Sequence, residues 1–225
     1  MPVEPDAAIE ITAFDWVPGF ARGFVRDLRP RWACEEIGLA YSERLINPAG
    51  PRPEGYYAEQ PWGQVPVLKE DGLEIFESGA ILLHLGEKDE RLLPRDPQAR
   101  QRAISWLFAA LNSVEPLIFE LSTIDIFAKG EEWAELRRPS LMAFAGQRFD
   151  RLADALGERE WLAGPFSIAD IAMATVLREA DKTDLVSGRA NLAAYLARAL
   201  SRPAFERALT AQLDAFRDTP QPAAA

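Results

Sequence analysis

The chain has 225 residues, 48% of them hydrophobic, and a net charge of −10. That length and apolar content suit one large or two small packed domains and argue against disorder. The acidic balance argues against nucleic acid or an anionic membrane as partner, since both call for a basic face.

The opening MPVEPDAAIE shows neither a basic n-region nor an apolar h-region. No apolar run is read as long enough for a membrane span, so a cytoplasmic setting is expected. A single cysteine, Cys34, precludes an internal disulfide. The single histidine, His84, lies far from it, which leaves a His/Cys zinc site without support.

In chain order, the first seven residues are expected to fray. Ile9–Phe14 is a strand, Arg31–Leu39 a helix stopped by Gly38, and Ala40–Ile46 a second strand. Pro and Gly make Asn47–Gly55 a loop. Val65–Glu70 and Leu73–Phe76 are two short strands around Asp71-Gly72, a strong hairpin signal. From Ser78 the period changes: Ile81, Leu82 and Leu85 fit one helix face, with Ser78 as N-cap. Beyond Arg91–Pro97 no strand is found. Ile104, Leu107, Phe108 and Leu111 recur at helical spacing, and Leu117–Leu121 extends the pattern. Trp133–Leu156 is a long helical region interrupted by Pro139, followed by helices at Ser167–Arg178, Asn191–Leu200 and Pro203–Phe216. No repeat appears at periods of roughly 20–50 residues.

The order β-α-β, then β-β-α, gives a parallel pair with a right-handed crossover plus an antiparallel hairpin. The fold class is therefore an α/β domain with a four-stranded mixed sheet, followed by an all-α domain. The expected division is residues 1–90, a linker at 91–98, a helical domain at 99–218 and a disordered tail at 219–225. Within the helical part, Ser167 and Asp170 form a capping box, with Phe166 and Ile171 placed for a hydrophobic staple.

Three stretches of the first part and two of the second carry a family resemblance: RWACEEIGLAY, PWGQVPVL, FESGAILLHL, WLAGPFSIADIAMATVL and RPAFERAL. Their order and spacing make the chain resemble the glutathione S-transferase family, of the cytosolic, bacterial type. The resemblance implies a thioredoxin-like domain followed by a helical bundle, in a homodimer. It also implies glutathione as co-substrate, with no metal, and an electrophilic small molecule as second substrate.

The resemblance assigns roles to particular residues. It makes Val65-Pro66 a cis bond whose flanking amide and carbonyl pair with the cysteinyl part of glutathione; read alone, Pro66 is just an edge-strand proline. It makes Glu77 and Ser78 the clamp on the γ-glutamyl group, where the residues alone suggest a helix cap beside a solvated acid. Gln64 stands where the family often turns a polar side chain to the ligand. Trp106 and Phe108 read either as core or as lining of an acceptor pocket. His84 reads as a packed or interface histidine, and Cys34 as a small buried apolar residue.

One region departs from the family pattern. A Tyr or Ser hydroxyl, or in some branches a Cys, meets the glutathione sulfur between strand one and helix one. Here Phe14–Arg31 contains no Ser, Thr, Tyr or Cys and is longer than usual. The sulfur-facing position falls at Phe24, Val25 and Arg26, with Asp27 as the N-cap of helix one. Arg22 and Arg26, four apart, share a face if the segment is helical, and a guanidinium there favours a thiolate. The competing reading makes Arg22, Arg26 and Arg29 surface or salt-bridge residues, with backbone N–H groups serving the sulfur. The expected activity is conjugation of glutathione to an electrophile. Its rivals are a non-catalytic glutathione-binding or interaction module and a glutathione-dependent peroxidase or disulfide reductase.

Overall fold

The apolar run Ile9–Phe14 folds as strand β1, with Ile9, Ile11, Thr12 and Ala13 all buried. In the computed structural model, which describes residues 3–180 and 182–219, this strand lies at the centre of the first of two compact units. That unit comprises Met1–Leu92 with Ser201–Ala225; the second is Leu93–Leu200.

Helix α1 (Leu28–Ile37) begins three residues before the expected start and ends at Gly38, whose φ of 72° supplies the left-handed cap. Strand β2 (Tyr41–Ile46) runs parallel to β1, with Ile9 opposite Tyr41 and Phe14 opposite Ile46. A one-turn helix, α2 (Tyr56–Glu59), closes the loop that follows. Strands β3 (Val67–Glu70) and β4 (Leu73–Phe76) form the hairpin. Its turn residues Asp71 and Gly72 both have positive φ, 49° and 83°, as a two-residue turn matched to strand twist requires. Helix α3 (Ser78–Lys88) ends the unit's first stretch. The sheet order is β2-β1-β3-β4, parallel between β1 and β2 and antiparallel elsewhere, which is the thioredoxin-like mixed sheet expected. The start of the chain is less loose than expected. Val3 bridges to Tyr41, and the Glu4 amide donates to the Tyr41 carbonyl at 2.9 Å.

The second unit is helical. Helix α4 (Pro97–Ala109) is capped by the Asp96 carboxylate, and α5 (Glu115–Ser122) continues it. Ala110–Val114 between them and Thr123–Phe127 after them are turns widened to π geometry. The continuous run Pro97–Phe127 is, by length and composition, apolar enough to cross a membrane, against expectation. Its buried apolar residues Ala103, Leu107, Ala110, Val114, Ile118, Leu121 and Ile124 recur every three or four positions. A single buried stripe packed against a partner helix marks a core helix of a globular unit. Helix α6 (Glu132–Leu156) passes unbroken through Pro139. The carbonyl that loses its partner there, Glu135, belongs to an exposed residue and can be hydrated.

Helix α7 (Ile168–Arg178) is the partner of α4 and is buried from Ile168 to Leu177. At its start the Ser167 hydroxyl accepts from the Ala169 amide, and Asp170 accepts from the Ser167 amide at 3.0 Å, so the capping box is formed. Asp170 also accepts from the Leu162 amide and from Tyr195 Oη, both at 3.0 Å. The short α8 (Asp184–Ser187) and α9 (Ala190–Leu200) complete the unit.

Helix α10 (Pro203–Asp214) was expected in the helical domain but clusters with the first unit, against α1. Phe205 meets Trp32 edge-on with ring centroids 4.9 Å apart, and Arg202 pairs bidentately with Glu36 at 2.6 and 2.7 Å. Of the tail expected to be disordered, residues 220–225 lie outside the described residues.

Candidate functional site

The turn leading to Val65 is held from several sides. Gln60 is 2% exposed, and its Oε1 accepts from the amides of Trp62 at 2.7 Å and Gln64 at 3.2 Å. Tyr56 donates its hydroxyl to the Gln64 carbonyl at 2.6 Å, and Arg52 Nε donates to the Gly63 carbonyl at 2.6 Å. Gly63 itself has a φ of 66°, and a Cβ there would lie 2.9 Å from the Tyr57 ring. After the turn, Val65-Pro66 is cis. The Thr12 hydroxyl then takes the Val67 amide at 2.6 Å, so β3 pairing resumes only at Val67. The Val65 amide and carbonyl form no hydrogen bond within the described residues. The backbone at Val65 is thus free to pair with an external partner.

Across from it, Glu77 turns the chain from β4 into α3. Its φ of 70° and ψ of 118° are costly for a residue with a side chain, of order 1–3 kcal/mol. Ser78 is therefore not the N-cap that the sequence suggests. Glu77 occupies that position without a side-chain cap bond, and Ser78 is the first helical residue. The effect is to expose the Glu77 carboxylate while Ser78 is 4% exposed, beside the free N–H groups of the helix start.

Beneath Ser78 lies a group that sequence reasoning missed. Arg29 Nη1 donates to Ser78 Oγ at 3.0 Å, and Arg29 is itself 1% exposed. Its position three and four residues before Trp32 and Ala33, both fully buried, was the available signal that it lies on the inner face of α1.

The segment before α1 joins the same region. Val25 packs against the cluster of Ile46, Tyr56, Val65 and Val67, so the stretch read as sulfur-facing reaches the cluster that contains Val65. Arg26 is half-buried. The shared helical face proposed for Arg22 and Arg26 does not form, because the segment is a succession of turns with Gly23 at φ 83°. Arg22 instead donates to the Arg217 carbonyl at 2.6 Å and lies over the Phe216 ring. Asp27 stands at the N-cap of α1 but makes no cap bond. Its buried carboxylate accepts from Arg31 Nε at 2.7 Å and Gln212 Nε2 at 2.8 Å. Burial pushes the Asp27 carboxyl upward, and the adjacent Arg31 opposes that.

Gln64, Val65, Pro66, Glu77 and Ser78 thus stand on one unit with Val25 and Arg29. The other conspicuous residues have surroundings of their own, Cys34 and His84 on the same unit and Trp106 and Phe108 on the second. Cys34 is fully buried, and burial first, then Glu35, pushes its thiol up to about 12. His84 Nε2 lies 2.6 Å from Glu70 Oε2, and Lys88 Nζ lies 2.7 Å from the same carboxylate. Phe108 is half exposed on α4, and Trp106 is partly buried there. Among the described residues no group of His, Cys, Asp and Glu could hold a metal ion.

Comparison with known proteins agrees with this architecture. The family model for the glutathione S-transferase N-terminal domain matches residues 20–87. The chain is 31% identical over 165 residues to the glutathione S-transferase GstA of Escherichia coli O157:H7, covering 71% of this chain and 79% of that one. It is also 31% identical over 137 residues to the disulfide-bond oxidoreductase YfcG of Escherichia coli, covering 54% of this chain and 59% of the relative. A crystal structure of a glutathione transferase from Burkholderia graminis, with two glutathione molecules bound per subunit, superposes with a TM-score of 0.77 at 26% identity. That match covers 90% of this chain and 88% of the other. The chain belongs to the glutathione S-transferase family.

Proposed function

We propose that the protein is a glutathione transferase, conjugating glutathione to a small electrophile. The cysteinyl backbone of glutathione pairs with the amide and carbonyl of Val65. Its γ-glutamyl carboxylate lies at Ser78 and the first N–H groups of α3, and its ammonium at the Glu77 carboxylate. Gln64, exposed and with its side chain free of protein partners, reaches the same ligand. Arg29 fixes the Ser78 hydroxyl from below and adds positive charge near the carboxylate. In the reaction the glutathione sulfur attacks an electrophilic carbon, a carbon–sulfur bond forms, and the leaving group departs with the bonding electrons. The protein's part is orientation and partial thiolate stabilisation. The sulfur meets Phe24–Arg26, where Arg26 and the backbone N–H groups at the start of α1 are the candidates to favour the thiolate.

The observation that carries this reading is the unpaired Val65 backbone, 6% exposed and part of the cluster against which Val25 packs. A calorimetric titration with reduced glutathione tests it. Saturable binding that weakens at least tenfold in Glu77→Ala and Ser78→Ala supports it, whereas normal binding by both folded variants means the site is elsewhere. A second reading, glutathione-dependent disulfide reduction, draws support from the likeness to the YfcG oxidoreductase and from the lack of a hydroxyl in the segment before α1. Turnover of a mixed glutathione disulfide without conjugation of an activated aryl halide would favour it. A cytoplasmic homodimer is proposed for the assembly, on the family's pattern.

A further inference from the structure

The segment between β1 and α1 has little regular structure of its own, a single 3₁₀ turn at Gly19–Ala21. It is fastened instead to the C-terminal end of the chain. The Arg217 amide donates to the Asp15 carbonyl at 2.7 Å, and Arg217 Nε lies 3.2 Å from Asp15 Oδ2. Arg22 Nη2 returns a bond to the Arg217 carbonyl at 2.6 Å, with its guanidinium 5.7 Å from the centre of the Phe216 ring. Further along, Gln212 Nε2 donates to the Val25 carbonyl at 3.0 Å and to Asp27 Oδ1 at 2.8 Å. Asp15, Asp27 and Gln212 are 4%, 1% and 1% exposed, so the Gln212 ties are buried or partly so, whereas the Arg217 guanidinium and its carbonyl bond from Arg22 lie at the surface. Polar ties of this kind fix orientation as well as proximity, which apolar packing alone does less well.

We propose that the C-terminal hook, Gln212 with Phe216 and Arg217, is a positioning element for the thiol site. It holds the start, middle and end of Asp15–Asp27 and so keeps Phe24–Arg26 oriented toward Val65. Gln212 acts on the carbonyl of Val25, which packs against the cluster that contains Val65, and on the carboxylate of Asp27, which opens α1. Arg217 sets the other end through Asp15, and Arg22 serves the hook rather than the sulfur. The chain thereby replaces a side-chain hydroxyl with a segment whose backbone is held from outside. This rests on the glutathione reading above.

The test compares the full chain with a chain ended at Ala215, which lacks Phe216 and Arg217, and with Gln212→Leu and Arg217→Lys. Two quantities are read: hydrogen exchange of the amides of residues 16–26, and the apparent pKa of the thiol of bound glutathione. The shortened chain and Gln212→Leu are expected to exchange at least tenfold faster over that segment, with the β-sheet amides unchanged. In both, the bound thiol should titrate about one unit closer to the free thiol. Arg217→Lys, which keeps both backbone ties, should behave as the full chain. Unchanged exchange in the shortened chain overturns the hook itself, whatever the ligand. Faster exchange with an unchanged thiol pKa overturns its role at the site. Failure of the full chain to bind glutathione defeats the site reading, and with it that role, while the exchange data still report whether the hook holds the segment.

Discussion

Arg29 and Ser78 form a buried pair, with Nη1 to Oγ at 3.0 Å, linking the first turn of α1 to the first residue of α3. The pairing explains why the chain places a charged residue on the inner face of α1. It also gives the Ser78 hydroxyl a fixed direction, because its lone pair is engaged by a guanidinium and its proton is left to point outward.

The pair should therefore act as one unit in glutathione binding. Arg29→Met and Ser78→Ala are each expected to lower affinity by roughly tenfold or more, the scale of one charge-assisted hydrogen bond, about 1.5–3 kcal/mol. The double variant should lose much less than the sum. A calorimetric double-mutant cycle with glutathione measures this, and full additivity would show the two residues to be independent.

Cys34 should be chemically silent. With its thiol pushed up to about 12 by burial and by Glu35, almost none is thiolate at neutral pH. A thiol-specific reagent should leave the native protein unmodified at pH 8 and modify it on unfolding. Cys34→Ala should retain full glutathione-dependent turnover.

Glu59 should carry a pH-dependent part of the stability. Hydrogen bonds from Arg44, and then Lys69, hold its carboxyl down to about 2 from an ordinary 4.5. The folded state thus binds this proton less readily than the unfolded chain. The contribution is fully present above about pH 4.5 and is lost as pH falls through about 2. Urea unfolding of the protein and of Glu59→Gln should show a stability gap that is constant at neutral pH and narrows between pH 4.5 and 2.

The two members of the capping box should not be equivalent. Ser167→Ala removes one cap and should cost about 1 kcal/mol. Asp170→Ala strands the Leu162 and Ser167 amides and the Tyr195 hydroxyl together, all buried or nearly so. At about 1–3 kcal/mol for each unsatisfied buried group, it should lower the melting temperature several times more. Thermal unfolding of both variants measures the ratio.

Local signals in the sequence located much of this molecule. The Asp71-Gly72 hairpin, the Gly38 stop and the Ser167/Asp170 box each rest on a local geometry that few residue types suit, and each is in place. The failures share a different cause. Pro139 was read as a break because the rule concerns a lost hydrogen bond, yet an exposed carbonyl loses little by it. Ser78 looked like an N-cap because nothing local reveals that Glu77 adopts φ 70°. The attachment of α10 to the first unit, and the roles of Arg29, Arg22 and Gln212, depend on contacts spanning tens to nearly two hundred residues. Composition and periodicity do not encode those pairings. Of the proposed site, Gln64, Val65, Pro66, Glu77 and Ser78 could be nominated from the sequence, and the groups that hold them in place, such as Arg29 and Gln60, could not.

The most direct measurement is the ultraviolet titration of the thiolate of glutathione bound to the protein. A transferase site of this form predicts saturable binding and a thiolate absorbance whose midpoint lies below the free thiol's value of about 8.5. A bound thiol that titrates with the free value, or an absence of binding, would contradict it.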